Sequence, residues 1–80
     1  MSRVRVRLTF PEEIIPRPLI YELGRQFQVV TNIRRAQVDE DVGWVVLELD
    51  GEDDEIERGL EWARAQGVRV DPVSGDVVEG

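Results

Sequence analysis

Residues 29–51, VVTNIRRAQVDEDVGWVVLELDG, contain the pattern that decides the fold. Two runs rich in β-branched residues flank the acidic turn DEDVG at 39–43. This arrangement predicts strands over 28–39 and 44–50 joined by a short loop. In the second of these strands every other residue is apolar and is expected to face inward, so we expect one face of the sheet to be buried.

The segments before this pair predict a strand and a helix. RVRVRLTF at 3–10 alternates strictly between arginine or threonine and apolar residues, which is typical of a half-buried strand. A proline-rich connection over 11–18 follows. PLIYELGRQF at 18–27 then places apolar residues at helical spacing, with Pro18 at the first helical position, where its missing N–H is harmless.

The segments after the pair predict a second helix and a fourth strand. EDDEIERGLEWARAQG at 52–67 has its acids in the first turns, which suits the helix dipole, and Gly67 at the C′ position. Trp62 is expected to be a half-buried packing residue of this helix. VRVDPV at 68–73 alternates again, and SGDVVEG at 74–80 reads as a loose tail or a short extra edge strand.

The order β-α-β-β-α-β predicts an α+β domain, the ferredoxin-like plait: a four-stranded antiparallel sheet with two helices on one face. The domain is expected to span residues 1–73, with 74–80 as a C-terminal tail. In the usual strand order 4-1-3-2, Arg5 and Arg7 should lie across from Glu48 and Asp50 on the uncovered face. Two readings of that face stay open: solvated ion pairs, or a surface that meets a subunit or an anion.

Composition narrows the possible functions. The chain has 80 residues and a formal charge of −7, with no Cys, no His and no Lys. A small core without disulfides or metals is commonly reinforced by association, so we expect a homodimer. The acidic balance argues against nucleic acid. The absence of a 20-residue apolar run or a signal peptide predicts a cytoplasmic protein without membrane insertion.

Catalysis is not expected. Ser2 and Ser74 are the serines, both near the termini, and no glycine-rich phosphate loop is present. The acidic turn 39–43 lacks the ligand spacing of a calcium loop. Without His, Cys or Lys, the side chains that most often act as bases or nucleophiles are missing. The sequence predicts no enzyme activity, no metal and no cofactor.

The order of motifs around TNIRRAQV at 31–38 resembles the NIL domain, a module of the ATPase subunits of methionine-import ABC transporters. VRLTFP, PLIYELGRQFQVVTNI, GWVVLELDG and GLEWARAQGVRVDPV are similar to successive parts of that family. NIL domains also occur joined to ferredoxin segments in sulfur-assimilation proteins. Since this chain starts at Met1 and has no ATPase portion, we expect either a stand-alone domain or a fragment.

The resemblance implies a regulatory module that pairs across a two-fold axis and binds methionine, or a related amino acid, at the pair's interface. Asn32 matches the motif asparagine, and Thr31, Ile33 and Arg34 complete the expected ligand-binding set. An asparagine amide can both donate to and accept from a ligand. The alternative is that Asn32 satisfies backbone groups at a bulge.

Arg34 departs from the family pattern, in which this position is leucine. If its side chain faces the ligand, the resemblance implies an anionic ligand or an ion pair to a partner chain; if it faces solvent, the change is harmless. Simple alternation puts Arg34 on the face of Asn32 and Ala36 unless a bulge intervenes. A second hypothesis therefore stands beside ligand binding: an adaptor that docks on a transporter or a sulfur-pathway enzyme.

Overall fold

The computed structural model describes residues 1–73; the predicted tail lies outside the described residues. Within that range the chain folds as β1 (Ser2–Phe10), α1 (Leu19–Gln26), β2 (Val29–Val38), β3 (Gly43–Gly51), α2 (Asp53–Ala65) and β4 (Arg69–Pro72). A single 3-10 turn, Glu12–Ile14, lies in the connection between β1 and α1. The sequence predicted no regular structure for this connection. The elements and their order are those predicted.

The four strands form one antiparallel sheet in the order β2-β3-β1-β4. This confirms the ferredoxin-like arrangement and the predicted central position of β1 and β3. Those two strands pair along their whole length, from Ser2 opposite Gly51 to Phe10 opposite Gly43. The hairpin between β2 and β3 is closed by the amide of Asp39, which donates to the carbonyl of Val42 at 2.7 Å.

One layer of aliphatic side chains lies between the sheet and the helices. Leu8, Leu47 and Leu49 of the central strands are completely or almost completely buried, with 0 to 1% of their surface exposed. The helices contribute the predicted positions, buried to at least 90%: Leu19, Leu23, Ile56, Leu60 and Ala63. Burial of such side chains contributes about 1.5–3 kcal/mol each. The predicted inward faces of the strands and helices are therefore confirmed.

Two of the predictions for individual helix residues, Gly67 and Trp62, are confirmed, and the one for Pro18 is not. Gly67 follows the C-cap of α2 with a φ of 102°, the left-handed conformation that favours glycine at C′. Trp62 is half-buried against Phe27, with ring centroids 6.0 Å apart, as expected of a packing residue. Pro18, however, is the N-cap of α1 and not its first helical residue, because its ψ of 63° is not helical.

The uncovered face of the sheet carries ion pairs, but in a different register from the prediction. Arg5 lies opposite Glu48, as expected, and its Nη2 is 2.8 Å from Oε2. Asp50 pairs with Arg3 at 2.8 Å, whereas Arg7 lies opposite Val46. The predicted pairing of Arg7 with Asp50 is wrong because antiparallel strands run in opposite directions: a residue further along β1 meets a residue earlier in β3.

Gly51, at the end of β3, lies against the backbone that leads into β2, and its lack of a side chain allows this close approach. A Cβ at this position would lie 2.8 Å from the carbonyl oxygen of Gln28, which belongs to the backbone and cannot move aside cheaply. Gly24, in the interior of α1, is different, because its added Cβ would meet Thr31 at an ordinary 3.8 Å.

These two glycines give a matched test. We expect Gly51→Ala to lower the free energy of unfolding by about 1–3 kcal/mol, the usual cost of overpacking. Gly24→Ala should leave it unchanged or raise it by up to about 1 kcal/mol, because alanine is the better helix former. Urea denaturation followed by circular dichroism measures both. Equal effects of the same sign would contradict the close approach at Gly51.

Candidate functional site

A β-bulge in the edge strand β2 determines which side chains the expected ligand-binding segment presents to each face. Up to Ile33, opposite Leu47, pairing with β3 is regular; it then resumes with Arg35 opposite Val46. Arg34 is thus the extra residue of the bulge. Such an insertion leaves one residue unpaired and changes the direction of the side chains around it.

Strand alternation before the bulge divides the predicted site between the two faces of the sheet. Thr31 and Ile33 lie on the helix side of the sheet, across from Leu49 and Leu47. Asn32 lies on the uncovered face, across from Glu48. The expectation from simple alternation that Ala36 shares a face with Asn32 is wrong, since the bulge places Ala36 opposite the buried Val45.

An apolar cleft opens on the helix side of β2. Its volume is about 240 Å³, and it lies between this strand and the segment that leads into α1. The lining side chains come from three regions of the chain: Phe10, Ile15, Arg17, Pro18, Leu19, Ile20, Tyr21, Ile33, Ala36, Val38 and Val45. Of the four residues predicted to bind a ligand, Ile33 is the one that lines it. A space of this size accommodates an aliphatic or thioether side chain.

The rim of the cleft leaves unusually large apolar groups in solvent. Ile33 is 53% exposed, Val38 58% and Tyr21 62%. These residues lie together around one cleft, and a continuous apolar surface of this kind commonly marks an interaction or ligand site. Ile15, Ala36 and Val38 were not predicted from the sequence as residues of this site. The signal was present in the apolar pair Ile14–Ile15 within a connection otherwise rich in proline and charge.

Asn32 is exposed on the other side of the strand. Its side chain makes no hydrogen bond to any other residue within 1–73. The alternative in which this amide satisfies neighbouring backbone groups at the bulge therefore has no support from the contacts of the described residues. Its amide is available to a ligand or to a second chain.

Glu48, across the strand from Asn32, is a carboxylate with only 7% of its surface exposed. The hydrogen bond from Arg5 holds the pKa of Glu48 below its ordinary value, although burial opposes this; the charges of Arg3 and Arg34 act in the same direction as Arg5. Arg34 is thus close enough to the uncovered face to act on Glu48. The carboxylate is ionised at neutral pH and orders the arginines around it.

The lowered pKa of Glu48 predicts an acid-dependent loss of stability. A folded-state pKa below the unfolded one stabilises the protein above the unfolded pKa, and this contribution disappears as the pH falls through the folded pKa. We expect Glu48→Gln to destabilise the protein at neutral pH, and the difference from the native chain to shrink below about pH 4. Urea midpoints measured between neutral and acid pH test this.

Glu61→Gln is the matched control, since Glu61 is an exposed carboxylate whose ion pair with Arg64 is long, at 3.5 Å. We expect this variant to follow the native pH profile. A Glu48→Gln curve parallel to the native one over the whole range would contradict the assignment.

No helix within residues 1–73 is long and apolar enough to cross a membrane. In the same part of the chain, no three potential metal-ligating side chains of His, Cys, Asp or Glu are grouped together.

The comparisons with known proteins agree with the fold and the motif. The chain is 35% identical over 76 residues to the methionine import ATP-binding protein MetN of Geobacillus kaustophilus, covering 90% of this chain and 22% of that protein. It is 32% identical over 74 residues to MetN of Halalkalibacterium halodurans, covering 88% and 22%. It therefore spans about a fifth of the length of these relatives.

A solved structure extends the likeness to three dimensions. The C-terminal domain of an ABC transporter ATP-binding protein from Enterococcus faecalis superimposes with a TM-score of 0.77 at 25% identity, over 89% of this chain and 83% of that one. The fold thus defines a small ferredoxin-like module of the kind found in transport ATPases. The family model of the NIL domain matches residues 4–72, and the chain belongs to the NIL domain family.

Proposed function

We propose that this chain is a non-catalytic regulatory domain associated with amino-acid transport, and that it binds methionine or a related amino acid at the free edge of β2. The observation that carries the proposal is the exposed apolar cleft beside Ile33 in a domain whose relatives are named for methionine import. The cleft takes the apolar side chain. Arg17, the charged residue of its lining, is paired with Glu22 at 2.8 Å and donates a hydrogen bond to Gln66, so the polar contacts of the ligand have to come from other groups at this edge.

Asn32 is the expected polar contact at the same edge. It lies on the opposite face of β2 from the cleft, so a ligand that touches both has to lie across the strand or between two copies of the domain. The amide supplies one donor and one acceptor for the amino and carboxylate groups of an amino acid. This placement requires the edge of β2 to be shared, which leads to the second part of the proposal.

The domain pairs with a second copy through β2. Among the described residues, this strand is hydrogen-bonded to β3 on one side only, and its apolar residues next to the bulge are exposed. Addition of a strand to such an edge satisfies its free backbone groups, and burial of the apolar rim stabilises the pair. A homodimer of this kind would place two cleft regions near one seam.

A charged substitution in the rim tests the pairing. We expect Ile33→Glu to shift the protein from dimer to monomer, because a carboxylate would have to be buried in the apolar seam. Val30→Glu, on the same strand but on the uncovered face, is the matched control and should dissociate the dimer much less. Light scattering after size-exclusion chromatography measures both. A native chain that stays monomeric at high concentration would contradict the proposal.

Calorimetry with L-methionine tests the ligand. We expect binding at millimolar concentration or below, and at least about a tenfold weaker affinity, close to 1.4 kcal/mol, in Asn32→Ala. Gln37→Ala removes an exposed amide from the same strand and should leave the affinity unchanged. Ala36→Leu narrows the cleft and distinguishes the contact in the cleft from the contact with Asn32. Loss of methionine binding would mean that the methionine side chain lies in the cleft, whereas unchanged binding would restrict the site to Asn32.

The absence of heat at millimolar methionine from a folded dimer would reject the ligand. The second candidate function, an adaptor without its own ligand that docks on a transporter or a sulfur-pathway enzyme, would then remain. Arg34 favours this candidate, since it replaces an apolar motif residue with an exposed cation.

A further inference from the structure

The uncovered face of the sheet concentrates positive charge on an acidic protein. Within residues 1–73, six arginines and three carboxylates lie on this face or at the bulge beside it: Arg3, Arg5, Arg7, Arg34, Arg35 and Arg69, with Glu48, Asp50 and Asp71. The formal charge of the whole chain is nevertheless −7. The sign of the charge therefore differs between this face and the rest of the molecule.

The three carboxylates do not neutralise the face evenly. Asp50 pairs with Arg3 at 2.8 Å, and Asp71 with Arg69 at 2.9 Å. Glu48 makes its short contact, 2.8 Å, with Arg5. The positive charge that is left over comes from one group, which we call the arginine patch: Arg7, Arg34 and Arg35.

The arginine patch has a defined geometry. Arg7 and Arg35 both lie opposite Val46, one on each side of β3. Their Cα atoms are therefore separated by two strand spacings, about 10 Å, and both side chains rise from the same face. The bulge sets Arg34 beside Arg35. All three side chains are exposed, and within residues 1–73 none of them forms an ion pair or donates a hydrogen bond.

We infer that the arginine patch docks an acidic segment of a partner protein. Guanidinium groups bind carboxylates in a planar, two-pronged geometry, so three of them around the apolar Val46 suit a chain with closely spaced Glu or Asp. Charge complementarity of this kind directs which partner binds and how fast. This inference goes beyond the proposed ligand site: the arginine patch shares the uncovered face with Asn32, but none of its three side chains lines the cleft.

Two features favour an acidic protein over a nucleic acid. A polyanion longer than the patch would meet the excess negative charge of the rest of the domain. In addition, the Trp44 ring, which could stack on a base, is covered by the guanidinium of Arg7 at 4.4 Å from its centroid.

Amide chemical-shift titration of the full ¹⁵N-labelled chain tests the inference. The probe is a short peptide in which glutamates alternate with serines; its glutamine counterpart and a short oligothymidylate are the comparisons. We expect the glutamate peptide to shift the amides of residues 7, 34–37 and 44–46, and to bind more weakly as salt is raised. Arg35→Gln and Arg7→Gln should each weaken it about tenfold.

Arg64→Gln is the matched control, because Arg64 is exposed on α2, in the layer on the other side of the sheet from the patch, and should change the affinity less than about twofold. Equal binding of the glutamine peptide, tighter binding of the oligothymidylate, or an equal loss in Arg64→Gln would overturn the inference. Methionine titration of Arg35→Gln keeps the two proposals separate. If Arg35→Gln loses peptide binding but gives the same heat with methionine as the native chain, the result supports the arginine patch independently of the ligand site. If the native chain gives no heat with methionine, the ligand proposal fails, but the peptide result still stands.

Discussion

The register between β1 and β3 is the constraint on which the remaining structure depends. On one side of this pair, Leu8 and Leu47 lie within the aliphatic layer; on the other, Arg5 meets Glu48. A slip of one residue would exchange the two sides, exposing the leucines and forcing arginines against the helices. Apolar burial and ion pairing therefore select the same alignment, and the ion pairs need contribute little energy to be decisive.

The geometry of the two layers explains why the apolar cleft lies beside β2. Helix α1 has eight residues and is about 12 Å long, whereas the ten residues of β2 span about 33 Å. The helix layer consequently covers the start of this strand, where Val29 is 7% exposed, and leaves Ile33 and Val38 in solvent. The apolar cleft is the space that a short helix leaves over a long edge strand.

Local patterns were sufficient to predict the elements of the fold and, outside the second half of β2, the direction of their side chains. Alternation in 3–10 and 44–50, together with the helical spacing of residues such as Leu19, Leu23 and Ile56, predicted both layers, and the order of elements limited the topology to one common plait. These patterns depend on neighbours in the chain. For this reason they identify the buried face of a strand or helix without any information about distant residues.

The site was less predictable because it depends on relations between distant segments. Nothing in IRRA indicates which residue becomes the insertion opposite Val46, yet that choice decides whether Ala36 faces the cleft. The cleft itself requires the turn at Glu12–Ile14 to bring Ile15 against β2, and a proline-rich connection has no periodicity from which such a turn can be read. The identity of Asn32 as a candidate came from the family motif alone.

The bulge in β2 also limits how the domain can aggregate. A flat ten-residue edge would be a template on which identical chains add one after another into fibrils. The irregularity at Arg34 divides this edge into two short regular stretches, and the adjacent cations repel each other in any stacked, in-register array. The same residue that interrupts the ladder therefore works against the repeated addition of identical chains along this edge.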